Sequence, residues 1–121
     1  MILPVGSTSI ADAVRVGADV FHTLRRILKQ MGLNTGVGDE GGFAPDIGSN
    51  EQAIEVVLEA IIKAGYRPGI DVCLGLDVAS SEFFHNGYYC LEGDKQKYTP
   101  ETFVQLILDW IERYPILTIE D

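Results

Sequence analysis

Val72-Cys73-Leu74-Gly75-Leu76 is an unbroken apolar run closed by Asp77, and it constrains the fold more than any other stretch of this chain. A strand with one solvated face alternates apolar and polar side chains. Five apolar residues in succession therefore predict a strand covered on both faces, the environment of a parallel sheet. Such sheets need helices over their faces, and the flanking sequence supplies them.

Before this run, Ile10, Val14, Phe21, Leu24, Leu28 and Met31 recur at helical spacing. Ser9 with Asp12 suits a capping box at the start, Arg25, Arg26 and Lys29 suit the negative end of the dipole, and Gly32 ends the helix. A short strand is predicted around Thr35 to Val37. Ser49 with Gln52 opens a second helix whose apolar face is Ile54, Val57, Leu58, Ile61 and Ile62, up to Gly65. After Asp77, Asn86-Gly87 between Phe83, Phe84, Tyr88 and Tyr89 predicts a type I′ hairpin near 82–91. Thr99 caps a third helix with Pro100 at its first position and Phe103, Leu106, Ile107, Trp110 and Ile111 on its buried stripe. Ile116 to Ile119 is the last predicted strand, and Met1 to Val5 is a brief apolar run at the start. Alternating strands and helices predict an α/β layer or barrel built from βα units.

With 121 residues and 46% hydrophobic content, the chain holds enough apolar side chain for one small domain or a piece of one. Nine Lys and Arg against eighteen Asp and Glu give a net charge of −9, which disfavours nucleic acid or a membrane surface as the main partner. Cys73 and Cys90 have no CxxC spacing and are expected to be buried free thiols of a reducing compartment. Pro4 interrupts the only N-terminal apolar run and no basic residue precedes Arg15, so no signal peptide is expected. No run of about eighteen apolar residues suggests a membrane span. Together these point to a cytoplasmic protein.

The chemistry concentrates in acids at predicted strand ends. Gly38-Asp39-Glu40-Gly41-Gly42-Phe43-Ala44-Pro45 places two acids between glycines, which admit positive φ or close approach of a ligand to the main chain. Taken alone, this passage could be an acidic surface turn. Asp39 is expected to fix the loop through backbone hydrogen bonds. Asp77 ends the apolar run, and Glu120 with Asp121 ends the last one. The separations of 37 residues from Glu40 to Asp77 and 43 from Asp77 to Glu120 each suit one long βα unit, so adjacent strands would bring the three acids to one end of the sheet. Carboxylates gathered in this way repel one another unless a cation is present, and a hard divalent ion such as Mg²⁺ takes oxygen ligands. His22 and His85 are too isolated to suggest zinc, and they read as structural or surface residues, as do Lys95 and Lys97. Asp121 reads as a supporting or structural acid.

These residues resemble the enolase family. Val37 to Pro45 is similar to that family's acid loop, and Leu76-Asp77-Val78-Ala79-Ser80-Ser81-Glu82-Phe83 is similar to its metal-aspartate strand end. Ile2 to Gly6, Ala18 to Leu24, Gly48 to Glu51 and Tyr114 to Asp121 resemble it in the same order. The resemblance implies a partial (β/α) barrel of the enolase type with a hairpin excursion. Residues 1–121 would be a fragment of the C-terminal catalytic barrel, with an N-terminal domain and further barrel strands lying outside it. The implied activity is the Mg²⁺-dependent reversible dehydration of 2-phosphoglycerate to phosphoenolpyruvate in glycolysis and gluconeogenesis, in a homodimeric parent protein. Carried over residue by residue, Glu40 is the acid that helps the C3 hydroxyl leave and also contacts substrate. Asp77 and Glu120 are implied metal ligands, and Glu120 also lies beside the substrate. The base lysine, third metal carboxylate and phosphate-binding residues would fall outside these residues, so the fragment by itself is expected to be inactive and to bind Mg²⁺ weakly. Two alternatives stand beside this: another Mg²⁺-dependent lyase or isomerase of the enolase superfamily, and, for the fragment alone, a non-catalytic protein-interaction module.

Overall fold

The structure, a computed structural model, describes residues 1–91, 93 and 95–121. Strand β1 (Ile2–Leu3) leads through helices α1 (Ile10–Gln30) and α2 (Asn50–Lys63) to strand β2 (Cys73–Asp77). A 3₁₀ turn (Ser80–Glu82) precedes β3 (Phe84–His85), β4 (Tyr88–Leu91) and β5 (Gln96–Tyr98), after which helix α3 (Pro100–Arg113) leads to β6 (Ile116–Glu120). Two three-stranded sheets result, ordered β1-β2-β6 and β3-β4-β5.

The first sheet is mixed. β2 and β6 run parallel, as the apolar run predicts, but β1 is antiparallel to β2. The cause lies in the connections. One helix, α3, separates β2 from β6 and returns the chain to its starting end. Two helices in series separate β1 from β2 and reverse the chain once more, so simple βα repetition fails at this step. Consequently the carboxyl ends of β2 and β6 lie at one end of the sheet, and that of β1 lies at the other.

Each helix begins where its cap allows. The Ser9 hydroxyl accepts from the Asp12 N–H at 3.1 Å, Ser49 from Gln52 at 3.1 Å and Thr99 from Thr102 at 3.3 Å. Gln52 returns the favour, its Oε1 accepting from the Gly48 N–H at 3.1 Å. At the far end of α1, Gly32 adopts φ +74° and the Leu33 N–H reaches back to the Leu28 carbonyl at 2.9 Å.

Val20, Leu28, Ile61 and Val72 are the largest fully buried side chains, and with Leu74 and Trp110 they form a core between the helices and one face of the sheet. On α1 the buried stripe is Val16, Val20, Thr23, Ile27 and Leu28, whereas Ile10 and Val14 are 83% and 66% exposed. Of the face expected from Ile10, Val14, Phe21, Leu24, Leu28 and Met31, Leu28 is buried and Met31 is exposed, so the buried stripe is rotated from the expected one by about one residue, or about 100°. Thr23 enters the core in part because the Arg26 guanidinium donates to its hydroxyl at 3.0 Å, leaving no orphaned polar group. Ile62 and Ile111, placed on buried faces from sequence, are also exposed.

The second sheet contains the expected hairpin, with His85 paired to Tyr88 across Asn86 and Gly87 at φ +52° and +84°, the signs a type I′ turn needs. β5 adds a third strand that the sequence did not signal. Tyr89 stacks on Phe103 at 4.5 Å between ring centroids, which pins this sheet to α3. Both cysteines are free; Cys73 is buried, but Cys90, on the central strand β4 of the second sheet, is only half-buried. Among the described residues, no helix is long and apolar enough to cross a membrane.

Candidate metal and catalytic site

The parallel ladder pairs Leu74 with Ile116, then slips by one residue, and continues as Gly75 with Thr118, Leu76 with Ile119 and Asp77 with Glu120. Leu117 is the extra residue, bulged out and 61% exposed. Had the ladder run on from Leu74–Ile116 without the slip, Asp77 would face Ile119. The bulge therefore brings Glu120 opposite Asp77, on the face of the sheet that Gly75 and Thr118 share, while Leu76 turns toward the helices. Gly75 is required at this crossing because a Cβ there would lie 2.7 Å from the Thr118 Oγ1.

Register partners on neighbouring strands are about 4.8 Å apart and project to the same side. Asp77 and Glu120 are both exposed at the sheet end, and neither has an ion-pair partner among the described residues. Two unpaired acids side by side fit a hard divalent cation, which commonly takes one or two carboxylates and completes its shell with water or substrate oxygen. The donor set is all oxygen, unsuited to zinc or copper.

Beyond the strand tips the chain turns sharply. The Val78 N–H extends the ladder to the Glu120 carbonyl at 2.9 Å, and Ala79 takes a left-handed conformation at φ +47°. Asp121 then grips the turn: its Oδ1 accepts from the Ser80 N–H at 2.6 Å and its Oδ2 from the Ser80 hydroxyl at 2.8 Å. These bonds hold the Asp121 carboxyl below its ordinary range, the Ser80 backbone bond contributing most. Asp121 is thus a clasp between the β2 and β6 tips. Its structural role was expected from sequence, but Ser80 as its partner carried no sequence signal, because the two are far apart along the chain.

Glu40 sits differently. The predicted strand at Thr35 to Val37 is absent; Val37 instead forms one antiparallel bridge with Phe43. Gly41 and Gly42, at φ +81° and +70°, fold the chain back on itself, so Val37 meets its own loop rather than the sheet. The loop is closed by the Gly41 N–H to the Gly38 carbonyl at 3.0 Å, and anchored by Phe43 stacked on Phe21 of α1 at 4.6 Å. Glu40 is exposed at its tip. No group of three or more His, Cys, Asp or Glu side chains placed to hold a metal occurs among the described residues, so Glu40 does not complete a three-acid cluster with Asp77 and Glu120.

Ion pairs elsewhere serve the scaffold. Glu51 at the start of α2 accepts from Arg113 and, at 2.5 Å, from the Tyr114 hydroxyl, which pushes the Tyr114 phenol up to about 12 and holds Glu51 low. Arg67 donates twice to Asp71 at 2.8 Å, and also through its backbone N–H, bringing the Asp71 carboxyl down to about 2. Neither group touches the β2–β6 tips, so strong titration shifts mark packing here and not the candidate site.

The parallel pair of β2 and β6 with α3 between them is a βα unit of the kind from which (β/α) barrels are built. The family model described as the enolase C-terminal TIM barrel domain matches residues 1–121, and this chain belongs to that family.

Proposed function

We propose that this chain is part of the catalytic barrel of an enolase, which dehydrates 2-phosphoglycerate reversibly to phosphoenolpyruvate with Mg²⁺. The observation that carries this reading is the in-register placement of Asp77 and Glu120, unpaired, at the carboxyl ends of two parallel strands. Family membership supports an enolase-superfamily enzyme, and the wording of the Gly38 to Pro45 loop favours enolase within it.

Asp77 and Glu120 would hold Mg²⁺, whose positive charge, when bound, offsets the negative charge gathering on the substrate carboxylate. Glu120 also borders the substrate. Glu40 donates a proton to the C3 hydroxyl so that it departs as water, and its glycine loop lets the main chain approach the substrate closely. Removal of the C2 proton is assigned to no residue of this chain. Asp121 and Ser80 keep the strand tips in register and touch no reacting atom.

The test is Glu40→Gln in the complete enzyme containing this segment, assayed with 2-phosphoglycerate. A positioned general acid contributes about 10²–10⁴-fold, so kcat is expected to fall by that order while KM changes little. An unchanged kcat removes Glu40 from the role. Turnover of other acid sugars in place of 2-phosphoglycerate would move the protein to another branch of the superfamily.

A further inference from the structure

Of the chain's three asparagines, only Asn86 is followed by glycine, the one neighbour whose main-chain nitrogen no side chain shields. Asn34 precedes Thr35 and its Oδ1 accepts from the Gly36 N–H at 2.8 Å, and Asn50 precedes Glu51 at the start of α2. Asn86 and Gly87 form the two-residue loop between β3 and β4, and both are exposed. Apart from its chain neighbours, no atom lies within 4 Å of where a Gly87 side chain would point, so water reaches this main chain freely. The strand that holds the loop shut is weak. β3 is two residues long, stands at the edge of its sheet, and joins β4 through the pairs Phe84–Tyr89 and His85–Tyr88. The stack that pins this sheet to α3 belongs to Tyr89 on β4, so β3 can open without disturbing it.

We infer that Asn86 is a site of spontaneous deamidation and isomerisation, and that it reacts in the folded chain through opening of the β3 end. The Gly87 nitrogen loses its proton to water or a buffer base and bonds to the Asn86 Cγ; the Cγ–Nδ2 bond breaks and the amide nitrogen leaves as ammonia. Water then opens the resulting succinimide at either carbonyl, giving aspartate or isoaspartate with one water oxygen in the new carboxylate. The closed turn forbids ring closure. A type I′ turn sets the Asn86 ψ at about +30°, so the Asn86 Cβ and the Gly87 nitrogen stand on opposite sides of the Cα–C bond. Opening a short edge strand costs far less than unfolding the core between the helices and β2, so local opening governs the rate. The two products differ in consequence. Aspartate before glycine also suits a type I′ turn, whereas isoaspartate carries the side-chain methylene into the main chain, and the lengthened loop no longer sets His85 opposite Tyr88.

Incubation of the full chain in heavy-oxygen water at mildly alkaline pH, followed by peptide mass spectrometry, tests this. The peptide holding Asn86 is expected to lose its amide nitrogen and take up one heavy oxygen, while those holding Asn34 and Asn50 stay unchanged, and an isoaspartate-specific methyltransferase should label the product. The rate should be level across urea concentrations below the unfolding transition, since local opening exposes little surface. In the isoaspartyl product the Phe84–Tyr89 and His85–Tyr88 cross-strand contacts should be lost from the amide spectrum with helical circular dichroism unchanged. Freshly prepared Asn86→Asp, which adds the same charge without lengthening the chain, should keep them. No conversion at Asn86, conversion of all three asparagines alike, or a rate that climbs with urea along the slope of global unfolding would overturn the inference, as would native contacts in the isoaspartyl product.

Discussion

Asp77 and Glu120 face each other at the last rung of the β2–β6 ladder because Leu117 is squeezed out of it. A single bulged residue thus determines which side chain of β6 stands beside Asp77. The same slip sends Ile119 to the other face with Leu76, so the local register separates the polar end of the sheet from its apolar side.

The first prediction concerns divalent cations. Asp77→Asn and Glu120→Gln should each weaken Mn²⁺ binding, followed by electron paramagnetic resonance, by about tenfold or more, and the double variant should fall short of the product of the two, since both act on one ion. Equal binding by all four proteins would place the cation elsewhere. Deleting Leu117 should leave binding near native, because Ile116 would then lead directly to Thr118 and a regular ladder would keep Asp77 opposite Glu120.

Gly6 supports the second prediction. A Cβ at this position would lie 2.9 Å from the Asp71 Cα and 3.2 Å from the Ile70 carbonyl, and backbone cannot rotate aside as a side chain can. Gly6→Ala must push β1 away from the turn before β2 and strain the Gly6 N–H bond to the Asp71 carbonyl, 3.0 Å long. Overpacking of this kind costs about 1–3 kcal/mol. Urea unfolding should show a lower midpoint with little change in slope.

Asp71 supplies the pH prediction. Its carboxyl titrates at about 2 in the folded chain, against an unfolded value of about 3.9. A carboxyl depressed by folding stabilises the native state above its unfolded pKa and loses that contribution as pH falls through the folded one. The Arg67–Asp71 link should therefore be intact above about pH 5 and vanish between about pH 4 and pH 2. The Arg67 amide proton, which donates to Asp71 at 2.8 Å, should titrate with a midpoint near 2, and Asp71→Asn should abolish that transition.

Much of this was legible from local chemistry. The Ser9, Ser49 and Thr99 caps, the Asn86-Gly87 turn and the β2 apolar run depend on neighbours in sequence, and each forms as the residues predict. What escaped the sequence depends on distant partners. The buried face of α1 is set by where α2 lies, so Ile10 and Val14 satisfy the helical period yet remain outside. The antiparallel entry of β1 follows from two helices standing in series before β2, a count that the expected strand at Thr35 to Val37 hides. The Val37 bridge replaced a strand because glycine conformation, not β propensity, governs that loop. For the site, the acid pair was readable from strand ends, whereas its alignment required the bulge at Leu117, which has no residue signature of its own.

The last prediction concerns the Ser80–Asp121 clasp. Ala79 bears a left-handed φ of +47°, a conformation that costs a residue with a Cβ about 1–2 kcal/mol, and two bonds from Asp121 to Ser80 immediately after it hold the turn in place. Ala79→Gly should relieve the cost and stabilise the chain slightly, provided the glycine's larger unfolded entropy does not cancel the gain. Asp121→Ala removes both acceptors at once, whereas Ser80→Ala removes only the hydroxyl and leaves the 2.6 Å backbone bond. Hydrogen exchange at the Ser80 amide should therefore accelerate by about tenfold in Asp121→Ala and remain near native in Ser80→Ala. If the clasp also fixes the strand tips, Mn²⁺ affinity should fall in Asp121→Ala without any loss of helical circular dichroism. Native exchange and native affinity in that variant would show that the ladder alone, through the Val78 to Glu120 bond, aligns the two acids.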